Sequence, residues 1–225
     1  MDYVLPLIQT DLFYLDHYGE YATIDKYGSG IIFPGFSSKF LIFDTKFEFR
    51  NFNDEFLPGY FDRLYEEQRS EVSHVINSTT GRREYSLTTK EEFLKNAKSS
   101  MGWFGYIRAS LWDTIYFKAA YQDMYGKDMT TGKSLWGSLT ANPRSVLNLK
   151  EAGLYYSQTH VPYIDFKNLR NTSSHVNGKL VYGLSAGANL VGRYSETYTD
   201  INGDGKIKGK DEVVSSLAFG VEFQF

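Results

Sequence analysis

The segment DINGDGKIKGKDE, at 200–212, carries oxygen-bearing side chains at regular positions. Oxygen ligands at places one, three, five, seven and twelve of such a loop, with glycine at place six, wrap around one Ca²⁺ ion. The residues at these five ligand places are Asp200, Asn202, Asp204, Lys206 and Asp211. Lys206 would contribute its backbone carbonyl, and the other four would contribute side-chain oxygens. The spacing therefore predicts a calcium site.

This loop resembles EF-hand-type calcium loops, most nearly the dockerin-like variant with Asp at the last ligand place. It departs from that family in two respects. Strands rather than helices are predicted on both sides of it, and Asp211 is shorter than the usual bidentate Glu. The alternative is a polar hairpin turn without a metal, because Asn, Asp and Gly are common turn residues.

Residues that could act as an acid, a base or a nucleophile are scattered along the chain. The four histidines, at 17, 74, 160 and 175, are far apart in the sequence, and cysteine is absent. The absence of cysteine excludes disulfides, thiolate metal sites and cysteine nucleophiles. A Ser or Asp beside a His is weak evidence for catalysis, because the fold brings catalytic partners together. We therefore expect no enzymatic activity.

The composition indicates a sheet protein rather than a helical membrane protein. Of 225 residues, 42% are hydrophobic, 23% are charged and 17% are aromatic, and the net charge is -3. Tyr and Phe favour strands, and Tyr suits a boundary between water and an apolar phase. No stretch approaches the roughly 18 apolar residues of a membrane-spanning helix. The negative net charge gives no indication of a basic surface that would bind nucleic acid. The first residues lack the pattern of a secretory signal.

Alternation of apolar and polar residues with period two runs through most of the chain and predicts strands. In 39–52, Leu41, Phe43, Phe47 and Phe49 share one face, and the second half of the other face carries charged residues of alternating sign. The segment 179–194 reads as one long strand with an apolar face and a face of small or polar residues. Further strands are predicted at 101–112, 114–122, 134–141 and 149–161.

The segment 54–99 breaks this pattern and is predicted to be an excursion from the sheet. Apolar residues at helical spacing in 56–72 predict one short helix. Thr89 and Glu92 have the spacing of a capping box, which predicts a second short helix in 89–99. A polar hairpin is expected between the two helices.

The C-terminal strand is apolar at every second position. The in-phase residues are Leu217, Phe219, Val221, Phe223 and Phe225. This pattern resembles the closing strand of bacterial outer-membrane β-barrel proteins, which ends on Phe. In that family the assembly machinery reads this strand as a membrane-insertion signal.

The resemblance implies an all-β fold, an antiparallel transmembrane β-barrel in the outer membrane of a double-membraned bacterium. We expect a single domain over 1–225, with about eight to ten strands, which is either a whole small barrel or the C-terminal part of a larger one. The implied partners are outer-membrane lipid and the barrel-assembly machinery. The sequence leaves the oligomeric state open.

In such a barrel the charged positions of the strands would line the lumen. The predicted lumen-lining residues are Asp44, Lys46, Glu48, Arg50, Lys118, Arg193 and Glu222. The leading functional hypothesis is a porin-like passive channel of unknown solute. The alternatives are a surface, adhesion or structural barrel that does not transport and has loops ordered by Ca²⁺, and a soluble secreted β-protein with a Ca²⁺ loop.

Overall fold

The computed structural model describes residues 1–58, 60, 70–76, 83–127, 129–142, 148–185, 187–203 and 205–223, with the backbone alone described for 70–76 and 83–86. These residues form thirteen strands, one α-helix and one 3-10 helix at Lys210–Glu212. In chain order the elements are β1 (Asp2–Gln9), β2 (Phe13–Thr23), β3 (Ser29–Phe40), β4 (Phe43–Phe52), β5 (Ser70–Ile76), β6 (Arg83–Thr89), α1 (Lys90–Asn96), β7 (Ser100–Leu111), β8 (Ile115–Gly126), β9 (Lys133–Ala141), β10 (Leu149–Val161), β11 (Ser174–Ser185), β12 (Ala188–Tyr198) and β13 (Val213–Phe223).

Eleven strands form one antiparallel sheet, in the order β1 to β4 followed by β7 to β13. The other two strands, β5 and β6, form a separate hairpin. The prediction of an all-β antiparallel fold is confirmed. The sheet is not closed into a barrel, since β1 and β13 are its edges and are not paired with each other in the described part of the chain. The expectation of about eight to ten strands is too low.

Part of this undercount comes from hairpins whose turns preserve the apolar alternation. The segment 179–194 is not one strand, because β11 ends at Ser185, which pairs with Ala188 at the start of β12. A two-residue turn keeps the period of two, so Leu180 and Leu190 stay on one face of the sheet. The segment 39–52 likewise contains a turn, at which Leu41 has a φ of 52°.

The connections between neighbouring strands differ at the two ends of the sheet. At the short-turn end lie the connections 10–12, 41–42, 112–114, 142–148 and 186–187. At the long-loop end lie the connections 24–28, 53–99, 127–132, 162–173 and 199–212. Because consecutive strands run in opposite directions, every second connection returns to the same end. The longest connections all share one end.

The connection 53–99 contains the β5–β6 hairpin and α1. Thr89 caps α1, and Glu92 bonds back to the Thr89 backbone, so the predicted capping box is confirmed. Residues 61–69 of the other predicted helix lie outside the described residues, and Ser70–Val72 belongs to β5 rather than to a helix. No helix within the described ranges is long and apolar enough to cross a membrane.

A small apolar cluster lies at the long-loop end of the sheet. Phe52, Phe56 and Met124 are buried against one another, and Ile24 packs beside them. Phe56 belongs to the connection 53–99, whereas Phe52 and Met124 are strand residues. The start of this long connection therefore folds back over the sheet.

Candidate functional site

The sheet has a charged face and an apolar face. The register places Asp44 beside Arg108 and Arg108 beside Lys118, so the side chains of β4, β7 and β8 at these positions share one side. We call this side the charged face, and the side that carries Phe47 and Trp103 the apolar face. The seven predicted lumen-lining residues all lie on the charged face, on β4, β8, β12 and β13.

Glu48 is the centre of the charged face. Its side chain is buried, with 1% of the residue exposed. One oxygen accepts hydrogen bonds from Lys46 Nζ and Tyr18 Oη, both at 2.6 Å. The other accepts from Arg50 Nε at 2.8 Å and Nη2 at 2.5 Å. A buried carboxylate with two cations and a hydroxyl around it is fully hydrogen-bonded, as a buried charge must be.

This network reaches across five strands because a glycine leaves room on one side and an aromatic ring supports it on the other. Tyr18 on β2 contacts Glu48 on β4 across Gly35, where an added Cβ would lie 2.6 Å from the Tyr18 ring. On the other side, the Arg50 guanidinium lies 4.0 Å from the centroid of the Phe104 ring. Arg50 Nη1 then donates to Gln122 Oε1 on β8 at 2.8 Å. The strands β2 to β8 of the main sheet are thus tied together by one set of polar side chains.

A second charged group lies nearer the short-turn end of the same face. Asp44 forms an ion pair with Arg108 and accepts a hydrogen bond from Tyr106 Oη at 3.3 Å. The ammonium of Lys118 lies 4.7 Å from the centroid of the Tyr106 ring. Charges of both signs therefore alternate along the face and largely neutralise one another.

The charged face continues across β10 to β13 with more exposed ion pairs. Lys179 pairs with Glu151 at 2.8 Å, and Tyr155 Oη donates to Glu151 at 3.4 Å. Arg193 pairs with Glu222 at 2.5 Å, and about half of each side chain is exposed. Exposed pairs of this kind contribute little to stability.

The apolar face is exposed over most of its area. Two cross-strand rows run over it, Leu139–Leu154–Gly178–Tyr194–Leu217 and Ala141–Ala152–Leu180–Gly192–Phe219. Glycine and alanine lie among leucine, tyrosine and phenylalanine in these rows, which leaves a shallow apolar groove of about 550 Å³. Phe219 is 69% exposed. This is the reverse of a water-soluble sheet, in which charged residues are exposed and large apolar residues are covered.

Polar groups border the apolar face at the long-loop end. Asp123 is buried on the apolar side of β8. Its carboxylate accepts hydrogen bonds from Lys133 Nζ at 2.5 Å and from Tyr125 Oη at 2.6 Å. On the same side of β12, Glu196 accepts from Tyr194 Oη at 2.5 Å. Tyrosines with their hydroxyls on carboxylates are suited to the boundary between an apolar phase and water.

The predicted calcium loop lies in the connection between β12 and β13. The two carboxylate oxygens of Asp200 accept hydrogen bonds from the backbone N–H groups of Gly203 and Gly205, both at 2.8 Å. Both glycines have a φ of +72°, which glycine adopts at little cost. The predicted ligand Asp204 lies outside the described residues. Among the residues described, no group of three His, Asp or Glu side chains is arranged to hold a metal ion.

The other predicted ligands of this loop are spread along it. Asn202 and Lys206 flank the two glycines, and Asp211 lies in the 3-10 helix. The residue one place later, Glu212, is buried and folds back onto the loop. Its Oε2 accepts from Lys208 N at 2.8 Å and from Gly209 N at 3.1 Å. Glu212 therefore has a structural role in the loop that the spacing did not indicate.

A further polar contact at the long-loop end joins α1 to the connection 24–28. Glu91 accepts from Lys95 at 2.8 Å and from Tyr27 Oη at 2.7 Å. The hydrogen bond from Lys95 is the main cause that lowers the pKa of Glu91. Because this pKa is lowered, the contact stabilises α1 above the ordinary carboxyl pKa and weakens as the pH falls below it.

The His–Asp neighbours in the sequence are separated by the sheet. Asp16 and His17 are adjacent on β2, so their side chains point to opposite faces. Asp16 is buried on the charged face. His17 lies among aromatic rings on the apolar face, with Nδ1 3.1 Å from Tyr3 Oη.

The apolar residues of the C-terminal pattern lie on β13 at the edge of the sheet. Leu217, Phe219, Val221 and Phe223 are exposed on the apolar face, whereas Phe225 lies outside the described residues.

The sequence did not indicate the contribution of Tyr18, Gln122 and Tyr106 to the charged face. The sequence shows only that each of these residues lies on one of the two alternating faces of its strand. Which partners it meets on that face depends on the register between strands, and the sequence does not give this register.

Comparison with known proteins gives no relatives for this chain. No family model matches it, and no curated protein or solved structure matches it either.

We predict that removal of Glu48 destabilises the fold much more than removal of an exposed carboxylate on the same face. Glu48→Ala leaves Lys46 and Arg50 without their shared acceptor, and loss of one partner of a buried pair costs about 3 kcal/mol. Glu222→Ala breaks a half-exposed pair and should cost at most about 1 kcal/mol. The measurement is the free energy of unfolding in urea, followed by tryptophan fluorescence. Equal losses in the two variants would contradict the central role of Glu48.

Proposed function

We propose that the chain is a bacterial outer-membrane β-barrel protein that acts as a porin-like passive channel. The observation that carries this proposal is the inverted burial of the sheet. Glu48 is 1% exposed on the charged face, while Phe219 is 69% exposed on the apolar face. An exposed apolar face of this extent marks contact with lipid or with another protein. Strands with an apolar outer face and a polar inner face are typical of barrels in lipid.

The lengths of the strands and connections also support a membrane location. Strands of the main sheet have 8 to 13 residues, for example β1 and β10, and about 9–11 residues cross the apolar core of a bilayer. Outer-membrane barrels have short periplasmic turns and longer extracellular loops. On that basis the short-turn end faces the periplasm and the long-loop end faces the exterior. The alternating apolar residues of β13 are then the signal for the assembly machinery, and outer-membrane lipid covers the apolar face.

The charges of the inner face support a channel of weak ion selectivity. Lys46 and Arg50 pair with Glu48, and Arg108 pairs with Asp44. Cations and carboxylates are therefore mixed on this face and do not form a ring of one sign. Rings of one charge sign are what selects cations or anions in a pore. The proposed channel therefore passes small polar solutes with little preference for either charge.

A barrel that does not transport is the second candidate, and the cluster around Phe56 favours it. Phe52 and Met124 lie on the charged face, and Phe56 from the long connection packs over them. A connection that folds over the inner face narrows or blocks the interior. Single-channel recording in a planar bilayer separates the two candidates: discrete conductance steps support the channel, and a folded protein without steps supports a structural or adhesion barrel.

We propose the connection between β12 and β13 as a calcium loop at the exterior of the cell. The partial fit of the loop supports this: the oxygens of Asp200 each keep a lone pair for a cation after accepting one N–H, and Gly203 and Gly205 give the tight turn. Bound Ca²⁺ would cross-link this loop and order it. The oxygen ligands of the site would be Asp200, Asn202, Asp204, the Lys206 carbonyl and Asp211.

We predict that Asp200→Asn weakens Ca²⁺ binding by at least about tenfold, because loss of a charged ligand lowers the affinity of an oxygen site. Isothermal titration with Ca²⁺ measures the affinity. Asp25→Asn, at an exposed position in the connection 24–28 at the same end of the sheet, is the matched control and should bind like the unchanged chain. No heat of binding in the unchanged chain would reject the calcium loop and leave a polar turn.

The membrane proposal predicts effects of different size for a new lysine on the two faces of β9. Leu139 is exposed on the apolar face, and the adjacent Thr140 lies on the charged face. A lysine at a lipid-facing position costs about 2–4 kcal/mol near the bilayer centre, whereas a lumen position tolerates charge. Leu139→Lys should therefore destabilise the protein in lipid vesicles by about that amount, and Thr140→Lys by less than about 1 kcal/mol.

The readout for this pair is the urea dependence of the compact band in gels of unboiled samples. Boiled samples give the position of the unfolded chain. If the chain is instead a soluble secreted protein, it folds without detergent, and Leu139→Lys at an exposed position leaves its stability unchanged. That result would reject the membrane proposal.

A further inference from the structure

Three basic side chains surround a small pocket at the long-loop end of the sheet. The pocket has a volume of about 350 Å³, and its charged lining residues are Arg170, Lys208 and Lys210. Arg170 belongs to the connection 162–173, and the two lysines belong to the connection 199–212. We call this opening the basic pocket. Cations from two connections that meet around one opening favour an anionic ligand.

The backbone on both sides of Arg170 is tied to the sheet. Tyr156, on the apolar side of β10, donates from its hydroxyl to Leu169 O at 2.8 Å. The Ser174 hydroxyl donates to Asn171 O, also at 2.8 Å. Arg170 lies between these two anchored carbonyls, so the chain places its guanidinium at the rim of the apolar side.

The backbone that carries the two lysines is also fixed. The buried Glu212 accepts hydrogen bonds from the backbone N–H groups of Lys208 and Gly209. Lys210 is the first residue of the 3-10 helix that precedes β13. The positions of these cations are therefore set by hydrogen bonds within the loop.

Carboxylates lie near the basic pocket, but those of the described residues do not line it. Glu196 accepts hydrogen bonds from the hydroxyls of Tyr194 and Tyr198 and lies 3.9 Å from Arg170. Glu212 is held by backbone N–H groups. An anion in the pocket would consequently contact the cations rather than these carboxylates.

The basic pocket continues into the apolar groove along β13. Val213 and Ser215 line the pocket, and Leu217 and Phe219, on the same side of the strand, line the groove. Side chains two residues apart on one face of a strand are about 7 Å apart. The cations therefore lie within a few such steps of the groove, and one molecule with an anionic head and an apolar tail can contact both.

We propose that the basic pocket binds the phosphate of an anionic phospholipid whose acyl chain lies in the apolar groove. The Arg170 guanidinium donates to two phosphate oxygens, because its planar fork matches phosphate, and the lysines add point charges. Basic pockets beside an apolar membrane surface recognise anionic headgroups. A lipid fits better than free phosphate because the pocket opens onto an apolar groove. This inference rests on the proposed membrane location and adds one class of lipid at one place.

Lipid titration of the folded protein tests this site. The full-length chain is folded in micelles of a non-ionic detergent, and bound lipid is counted by native mass spectrometry. The probes are dioleoylphosphatidylglycerol, which is anionic, and dioleoylphosphatidylcholine, which has the same acyl chains and no net charge. One phosphatidylglycerol should bind at least about tenfold more tightly than phosphatidylcholine. Equal affinity for the two lipids would overturn the proposal.

Two double variants of equal net charge show where the lipid binds. Arg170→Glu with Lys210→Glu should weaken phosphatidylglycerol binding at least about tenfold, because two cations of the pocket are reversed. Lys98→Glu with Lys127→Glu is the control, at exposed positions in two other connections of the long-loop end. It should keep the affinity within about twofold, since salt screens distant charges. The compact gel band confirms that each variant folds. Equal losses in the two double variants would indicate an effect of net charge alone and reject the pocket.

The place of the acyl chain is tested by filling the groove. Ala152 lines the groove, whereas Ala119 lies on the apolar side of β8 outside it. Ala152→Phe should weaken phosphatidylglycerol binding by at least about fourfold, the contribution of one buried CH₂ group. Ala119→Phe should leave it unchanged. If Ala152→Phe has no effect, or if inorganic phosphate binds as tightly as phosphatidylglycerol, the pocket takes a free anion and the lipid proposal is wrong.

Failure of this inference and failure of the proposed function give different results. A chain that shows the compact gel band in micelles without a preference for phosphatidylglycerol keeps the membrane location and loses the lipid site. A chain that folds in buffer without detergent contradicts the membrane location. Dihexanoylphosphatidylglycerol, kept below its micelle concentration, then tests the pocket alone. Binding that is lost in the Arg170→Glu, Lys210→Glu variant supports the phosphate site, and absence of binding overturns it.

Discussion

Each strand of this protein must satisfy two different surroundings at once, because successive side chains point to opposite sides of the sheet. Charged residues gather on one side and large apolar residues on the other, and the sides are not interchangeable. A shift in register by one residue would move Glu48 and its neighbours to the side of Phe47 and Trp103. The alternation therefore fixes the register of the strands, and the register brings together the polar groups of the charged face.

The network around Glu48 shows how this works over distance. Tyr18, Glu48 and Gln122 are far apart in sequence and belong to three strands that are not neighbours. They meet because Gly35 leaves space on β3 and because Phe104 supports the guanidinium of Arg50. Without a glycine at 35, the Tyr18 ring could not keep its position over β3. A buried carboxylate that is bonded on both sides then holds the registers of these strands together.

The sequence alone predicts which residues share a face within one strand. It predicts little about which residues of different strands come into contact. The charged side of β4 can be read from Asp44 to Arg50, since the period of two is local. The turn between Ser185 and Ala188 escapes detection, because two small residues continue the alternation. Tyr18 and Gln122 escape for another reason: their contacts depend on which strands are neighbours and in what register. The capping box at Thr89 is readable because all of its partners lie within one helical turn.

The three tryptophans provide the most direct test of the membrane account. Trp103 lies on the apolar face against Phe47, Trp136 lies on the charged face beside Phe104, and Trp112 is exposed at the short-turn end. Variants with one tryptophan, the others replaced by Phe, are folded into vesicles whose acyl chains carry bromine, a contact quencher of tryptophan fluorescence. The account predicts strong quenching of Trp103 and little of Trp136. Equal quenching of the two, or quenching of neither, would contradict an apolar face in contact with lipid.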